Sequence, residues 1–121
     1  MTSETMEPRT GQNWSVDVSG YAVDLPIVAI KPDFAISLMM VIDLGVKFGE
    51  HVGVKLAAKF ASRKPDIVVG TATLGIPVAI EVTRALGLNN YVVLQKSPKI
   101  HLANALEQRI SSITSKKHSS V

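Results

Sequence analysis

The segment that decides the fold is Lys64 to Pro98, KPDIVVGTATLGIPVAIEVTRALGLNNYVVLQKSP. Ile67, Val68 and Val69 form a short apolar run, the pattern of a strand covered on both faces. Gly70-Thr71-Ala72-Thr73-Leu74-Gly75 breaks that run and reads as a loop. Ile76-Pro77 opens a helix, because proline suits a first turn whose N–H groups have no intrahelical partner. The helix reaches Leu86, and Gly87 supplies its C-terminal cap. Asn89-Asn90 turns the chain into Tyr91-Val92-Val93-Leu94, a second strand of the buried type. Strand, loop, helix and strand over about thirty residues make a βαβ unit with parallel strands, so the fold class is α/β.

On the N-terminal side, Val46 to Arg63 has helical spacing. Phe48, Val52, Leu56 and Phe60 form an apolar ridge. Gly45, Gly49, Gly53, Ala57 and Ala61 form a ridge of small residues, and Lys47, His51, Lys55, Lys59 and Arg63 a basic one. Steps of four residues drift about 40° each, so the ridges spiral slowly. The small ridge predicts close packing on a sheet, with a dimer contact as the alternative. The basic ridge predicts a solvated face that includes His51, which has no metal-ligating companion at useful spacing. Gly45 marks a break before this helix. Asp33, after Lys31-Pro32, is a good N-cap and predicts an earlier, deeply buried helix to Ile42 or Asp43. Trp14, Val16 and Val18 alternate with Ser15, Asp17 and Ser19, and the alternation resumes at Tyr21, Val23 and Leu25. This is a β-hairpin turning at Ser19-Gly20. Pro26 demotes its second strand to an edge or a bulge.

Three segments follow from this pattern: a disordered lead-in over 1–13, an α/β domain over 14–113 and a Ser/Lys-rich tail over 114–121. Within the second, Leu102 to Gln108 reads as a helical turn or a loop, and Arg109 to Thr114 as the start of a strand. The whole chain has 121 residues, 46% hydrophobic and 19% charged, which is a globular composition for one domain. Cysteine is absent, which excludes disulfides, zinc–thiolate sites and thiol nucleophiles. The few aromatic residues supply a base-stacking surface poorly. Thirteen Lys/Arg against ten Asp/Glu give +3. That mild excess suits a phosphate-bearing ligand better than nucleic acid, even with the Lys47–Arg63 ridge considered. The polar N-terminus lacks a signal-peptide core, and the most apolar run, Phe34 to Val46, is interrupted by Asp43 and shorter than a membrane span. A cytoplasmic protein with no membrane or nucleic-acid partner is expected.

The Gly70–Gly75 loop carries the sharpest chemical signal. It lies at the carboxyl end of a parallel strand, where α/β folds bind ligands. It also feeds a helix N-terminus, which favours an anion. Two glycines give the backbone close access, and two threonines add hydroxyls. A P-loop would need Lys then Ser/Thr after the second glycine, where Ile76-Pro77 stands. A dinucleotide site would need G-x-G-x-x-G and an acid after the second strand, where Gln95-Lys96 stands. The loop is a phosphate cradle of another kind, or an ordinary turn.

The stretch from Lys64 to Leu102, with YAVDLPIVAI and the helical residues before it, resembles the type I phosphoribosyltransferases of the adenine/purine salvage kind. The likeness covers about residues 20–113. It implies an incomplete Rossmann-like parallel sheet preceded by a β-hairpin and two helices. It further implies a pyrophosphate loop at Thr71, Ala72, Thr73, Leu74 and Gly75, a phosphate contact at Lys96, and a mobile loop from Ser97 to about Ser112 carrying Lys99 and His101. For Lys99 and His101 the plainer alternative is a solvated loop position. The implied reaction moves ribose 5-phosphate from phosphoribosyl pyrophosphate to a purine-type base, with magnesium as cofactor and pyrophosphate as leaving group.

One family motif is missing. It joins four apolar residues, two consecutive acids and a Thr/Gly loop that grips the ribose 5-phosphate. No two acids are adjacent in this chain. Met40-Val41-Ile42-Asp43-Leu44-Gly45 comes nearest, with a single acid and on the wrong side of the pyrophosphate loop. The resemblance thus implies the N-terminal portion of such an enzyme, truncated and inactive alone, with an open apolar edge at Ile67-Val68-Val69. A C-terminal partner segment or a homodimer would cover that edge. The alternative is a non-catalytic module that senses a phosphate or nucleotide.

Overall fold

The computed structural model describes residues 9–97. Three strands, β1 (Arg9–Val18), β2 (Tyr21–Lys31) and β3 (Phe34–Ser37), precede helix α1 (Val41–Phe60). Strand β4 (Val68–Thr71), helix α2 (Gly75–Ala85) and strand β5 (Tyr91–Leu94) follow. The fold is mixed α/β, with an antiparallel sheet in the order β1-β2-β3 and a separate parallel pair β4-β5. The expected Rossmann-like sheet is not clearly formed: the described parallel part has two strands, and the N-terminal strands pair among themselves.

The β1–β2 register sets Val18 opposite Tyr21, Val16 opposite Val23 and Trp14 opposite Leu25. The alternating apolar residues therefore share one face. Ser19 and Gly20 take positive φ of 50° and 92°, as a tight hairpin turn of this twist requires. On the polar face Ser15 Oγ donates to Asp24, and Asp17 Oδ2 accepts from the Gly20 N–H at 3.0 Å. Strand β1 begins at Arg9, inside the segment read as a lead-in. Residues 1–8 and 98–121 lie outside the described residues.

Pro26 sits in the central strand, so the edge alternative falls and the irregular one holds. The Leu38 N–H donates to the Pro26 carbonyl at 2.9 Å, but proline has no N–H to return, and β3 ends at Ser37. The β1 register shifts between Arg9 and Asn13, next to the same residue. Across Pro26 the buried positions change phase, from Val23 and Leu25 to Val28.

The expected helix from Asp33 is corrected to a hairpin and strand. Lys31 pairs with Phe34 around Pro32-Asp33, and β3 runs antiparallel to β2. Deep burial fails with it, since Phe34 is 44% exposed. The break at Gly45 is present: φ 87° and ψ 176° interrupt α1 there, so the continuous helix starts at Val46. It tightens into a 3₁₀ turn over Ala61–Arg63 and stops at Lys64, which is left-handed.

Helix α1 has two packing faces. Phe48, 1% exposed, rests on Val23 and Leu25 and meets the Tyr21 ring edge-on at 5.5 Å. The other face carries Gly49, Gly53 and Ala57, all buried. It meets helix α2 and not a sheet, because a Cβ on Gly53 would fall 2.5 Å from Glu81 Cβ. Lys47, Lys55, Lys59 and Arg63 are exposed, as expected of the basic ridge. His51 leaves that ridge. It is half-buried, with Nε2 2.8 Å from the Val18 carbonyl and its ring 5.3 Å from that of Tyr21.

Strands β4 and β5 are parallel, with Val68 opposite Tyr91 and Thr71 opposite Leu94. Their apolar runs predicted cover on both faces, but Val69 is 54% and Val92 43% exposed. Helix α2 covers one face only. Among the described residues β4 pairs with β5 alone, so its other edge is open. No helix among them is long and apolar enough to cross a membrane.

Candidate functional site: the loop after β4

Several contacts fix the loop that follows β4. The Ala72 N–H donates to the Leu94 carbonyl at 2.8 Å, which ties the loop to the end of β5. The Ile76 N–H donates to the Thr73 carbonyl at 3.2 Å and closes the turn into α2. The Ala72–Thr73 peptide bond is cis. Gly70 lies where strand meets helix: a Cβ there would stand 2.6 Å from Ala79 Cβ and 3.0 Å from the Gly75 carbonyl oxygen. Gly70 is thus required by packing, in addition to any role beside a ligand. Gly70→Ala is expected to destabilise the protein by about 1–3 kcal/mol, as overpacking does. A urea midpoint equal to that of the parent would contradict this contact.

The loop's donors are few. Ile76 has spent its N–H and Pro77 has none. Among the described residues no backbone carbonyl accepts from Thr73 or Leu74. Thr71 and Thr73 are exposed. An open groove of about 750 Å³ is lined by Thr71–Gly75, by β4 and by parts of α1 and α2. Its wall is mostly apolar, with Ile67 and Val69 from β4, Val82 and Leu86 from α2, and Phe60 from α1. Lys96, just beyond β5, lines the same groove.

The structure therefore brings Thr71, Ala72, Thr73, Leu74 and Gly75 together with Lys96. Lys99 and His101 lie outside the described residues. The apolar wall has no counterpart among the residues the sequence points to. Phe60 and Leu56 were visible as one end of the apolar ridge, but nothing in the sequence tells whether a ridge faces a core or an empty groove.

Magnesium prefers hard oxygen ligands, carboxylates above all. Among the described residues no carboxylate lines this groove. Among the described residues no group of three or more His, Asp or Glu could hold a metal. The described donors do not fit a protein-held ion. No protein-family model matches the chain, and no curated protein matches it.

Proposed function

We propose that the Thr71–Gly75 loop binds the pyrophosphate end of a phosphoribosyl pyrophosphate-type ligand, in a chain related to the purine-type phosphoribosyltransferases of nucleotide salvage. One observation carries this reading: the loop and Lys96 share a groove at the carboxyl ends of two adjacent parallel strands. The Thr73 and Leu74 N–H groups and the threonine hydroxyls would donate to phosphate oxygens. The Lys96 ammonium would offset their charge. In the family reaction a nitrogen of the purine-type base attacks the anomeric carbon as its bond to the pyrophosphate oxygen breaks. Donors on the leaving pyrophosphate take up the charge that develops there.

The same geometry favours binding without turnover. Among the described residues the groove has no carboxylate, and the chain has no adjacent acid pair to hold the ribose. A phosphate- or nucleotide-sensing role, without chemistry, is the second reading that this favours.

Pyrophosphate titrated into isotopically labelled protein, with and without magnesium, tests the cradle. The amides of Gly70–Gly75 are expected to shift, and Lys96→Ala to weaken binding about tenfold, the loss of one charge-assisted contact. Unmoved loop amides would sink the reading. Phosphoribosyl pyrophosphate with a panel of purines is expected to give no turnover, and turnover would overturn the assignment of an inactive chain.

A further inference from the structure

We propose that the groove beside the Thr71–Gly75 loop takes a second class of ligand, a single-chain anionic amphiphile: a phosphate or diphosphate ester whose alcohol is an apolar chain. The proposal rests on the anion reading of the loop and concerns what is joined to the anion.

The groove holds about 750 Å³, a volume typical of small-molecule sites. Such sites are mostly apolar and carry a few polar groups that fix orientation. In this groove the polar side chains are Thr71, Thr73 and Lys96. The hydrogen bond from the Ala72 N–H to the Leu94 carbonyl holds the loop at the end of β5, so the three gather at one end. Lys96 is the one charged side chain lining the groove among the described residues, and it selects an anion.

The rest of the wall is hydrocarbon. Leu56, Phe60, Ile67, Val69, Val82 and Leu86 line it. Phe60, Ile67 and Val69 are 51%, 45% and 54% exposed, so apolar area is left for a ligand to bury. Away from the loop no lining side chain among the described residues offers a hydrogen bond. A sugar there would give up water from its hydroxyls without replacement, which is unfavourable. A hydrocarbon chain gives up nothing, and each methylene it buries tightens binding about fourfold. A concave groove with its charge at one end also suits such a ligand better than a second copy of the chain, which needs about 800 Å² of matched surface per partner.

Calorimetric titration of the full chain with methyl diphosphate, octyl diphosphate and octyltrimethylammonium tests this. Octyl diphosphate is expected to bind about tenfold or more tightly than methyl diphosphate, a gain that burial of two added methylenes supplies. Octyltrimethylammonium, with the same chain and the opposite charge, is expected to bind at least about tenfold more weakly than octyl diphosphate. Phe60→Asp is expected to weaken octyl diphosphate about tenfold, and Phe60→Leu to keep its affinity within about twofold. The three probes act on the parent protein, so they decide even where a variant fails to fold. Equal affinities for the two diphosphates would overturn the proposal, and shifts of the Gly70–Gly75 amides with both would leave the anion reading standing without it. Equal affinities for the two octyl probes would overturn it together with that reading. No octyl diphosphate binding to a chain that sediments as a dimer would overturn it and give the groove to a second copy. Binding to phosphatidic acid vesicles and not to octyl diphosphate would overturn it in favour of a membrane surface.

Discussion

Phe48→Ala is expected to remove about 3–5 kcal/mol of folding free energy, the range for deleting a large buried aromatic. Phe48 is 1% exposed and joins α1 to the hairpin through Val23, Leu25 and the edge of Tyr21. The hairpin cannot collapse into the vacated space, because its register is fixed by the paired backbone from Val18–Tyr21 to Trp14–Leu25. The residues around the gap would lose contact and keep their positions. Typical domains have about 5–15 kcal/mol in total, so the variant should sit near the edge of stability. Urea unfolding measures the effect. Val46→Ala on the same helix is the control, since Val46 is 83% exposed and should change stability by less than about 0.5 kcal/mol. Equal midpoints for the two variants would mean that Phe48 does not join helix and hairpin.

The reading of the βαβ unit from sequence survives well because several local signals there agree. Gly70 interrupts the apolar run one residue before β4 ends at Thr71, Pro77 suits a first helical turn, Gly87 takes the positive φ of 75° that a helix C-terminus wants, and Asn89-Asn90 turns into β5. The segment from Lys31 to Met40 fails for the opposite reason. Lys-Pro-Asp is as good a hairpin turn as a helix start, and Phe34-Ala35-Ile36 has no polar residue to reveal a period of two. Pairing with β2 decides it, and that is a long-range interaction. Burial differs from the expectation for a related reason. Ile67-Val68-Val69 is apolar throughout, yet only the α2 side is covered, since composition records what a strand could bury and not what lies against it. The candidate loop Thr71–Gly75 is legible because strand end, loop and helix start are consecutive in the chain. The apolar groove below them was not, because its walls come from α1, β4 and α2.

Gly53→Ala is expected to destabilise the protein by about 1–3 kcal/mol or more, while Gly49→Ala on the same face stabilises it by about 0.5–1 kcal/mol. Glycine in a helix interior costs about that same 0.5–1 kcal/mol relative to alanine, so both replacements gain on local grounds. What separates them is the opposing helix. A Cβ at Gly49 meets only Glu81 Cγ, at 3.9 Å, an ordinary contact. At Gly53 it would stand 2.5 Å from Glu81 Cβ, 2.8 Å from the Glu81 carbonyl carbon and 3.0 Å from its oxygen. A Glu81 rotamer change moves none of these three atoms, so α2 itself must retreat. That retreat would disturb Ala79 against Gly70 and, through it, the start of the loop that follows β4. The small-residue ridge is therefore one close approach of two helices, centred at Gly53, and only its centre should resist a methyl group. Denaturant midpoints for the two variants decide it: opposite signs are the expected result. A stabilised Gly53→Ala would place α1 farther from α2 than the geometry gives.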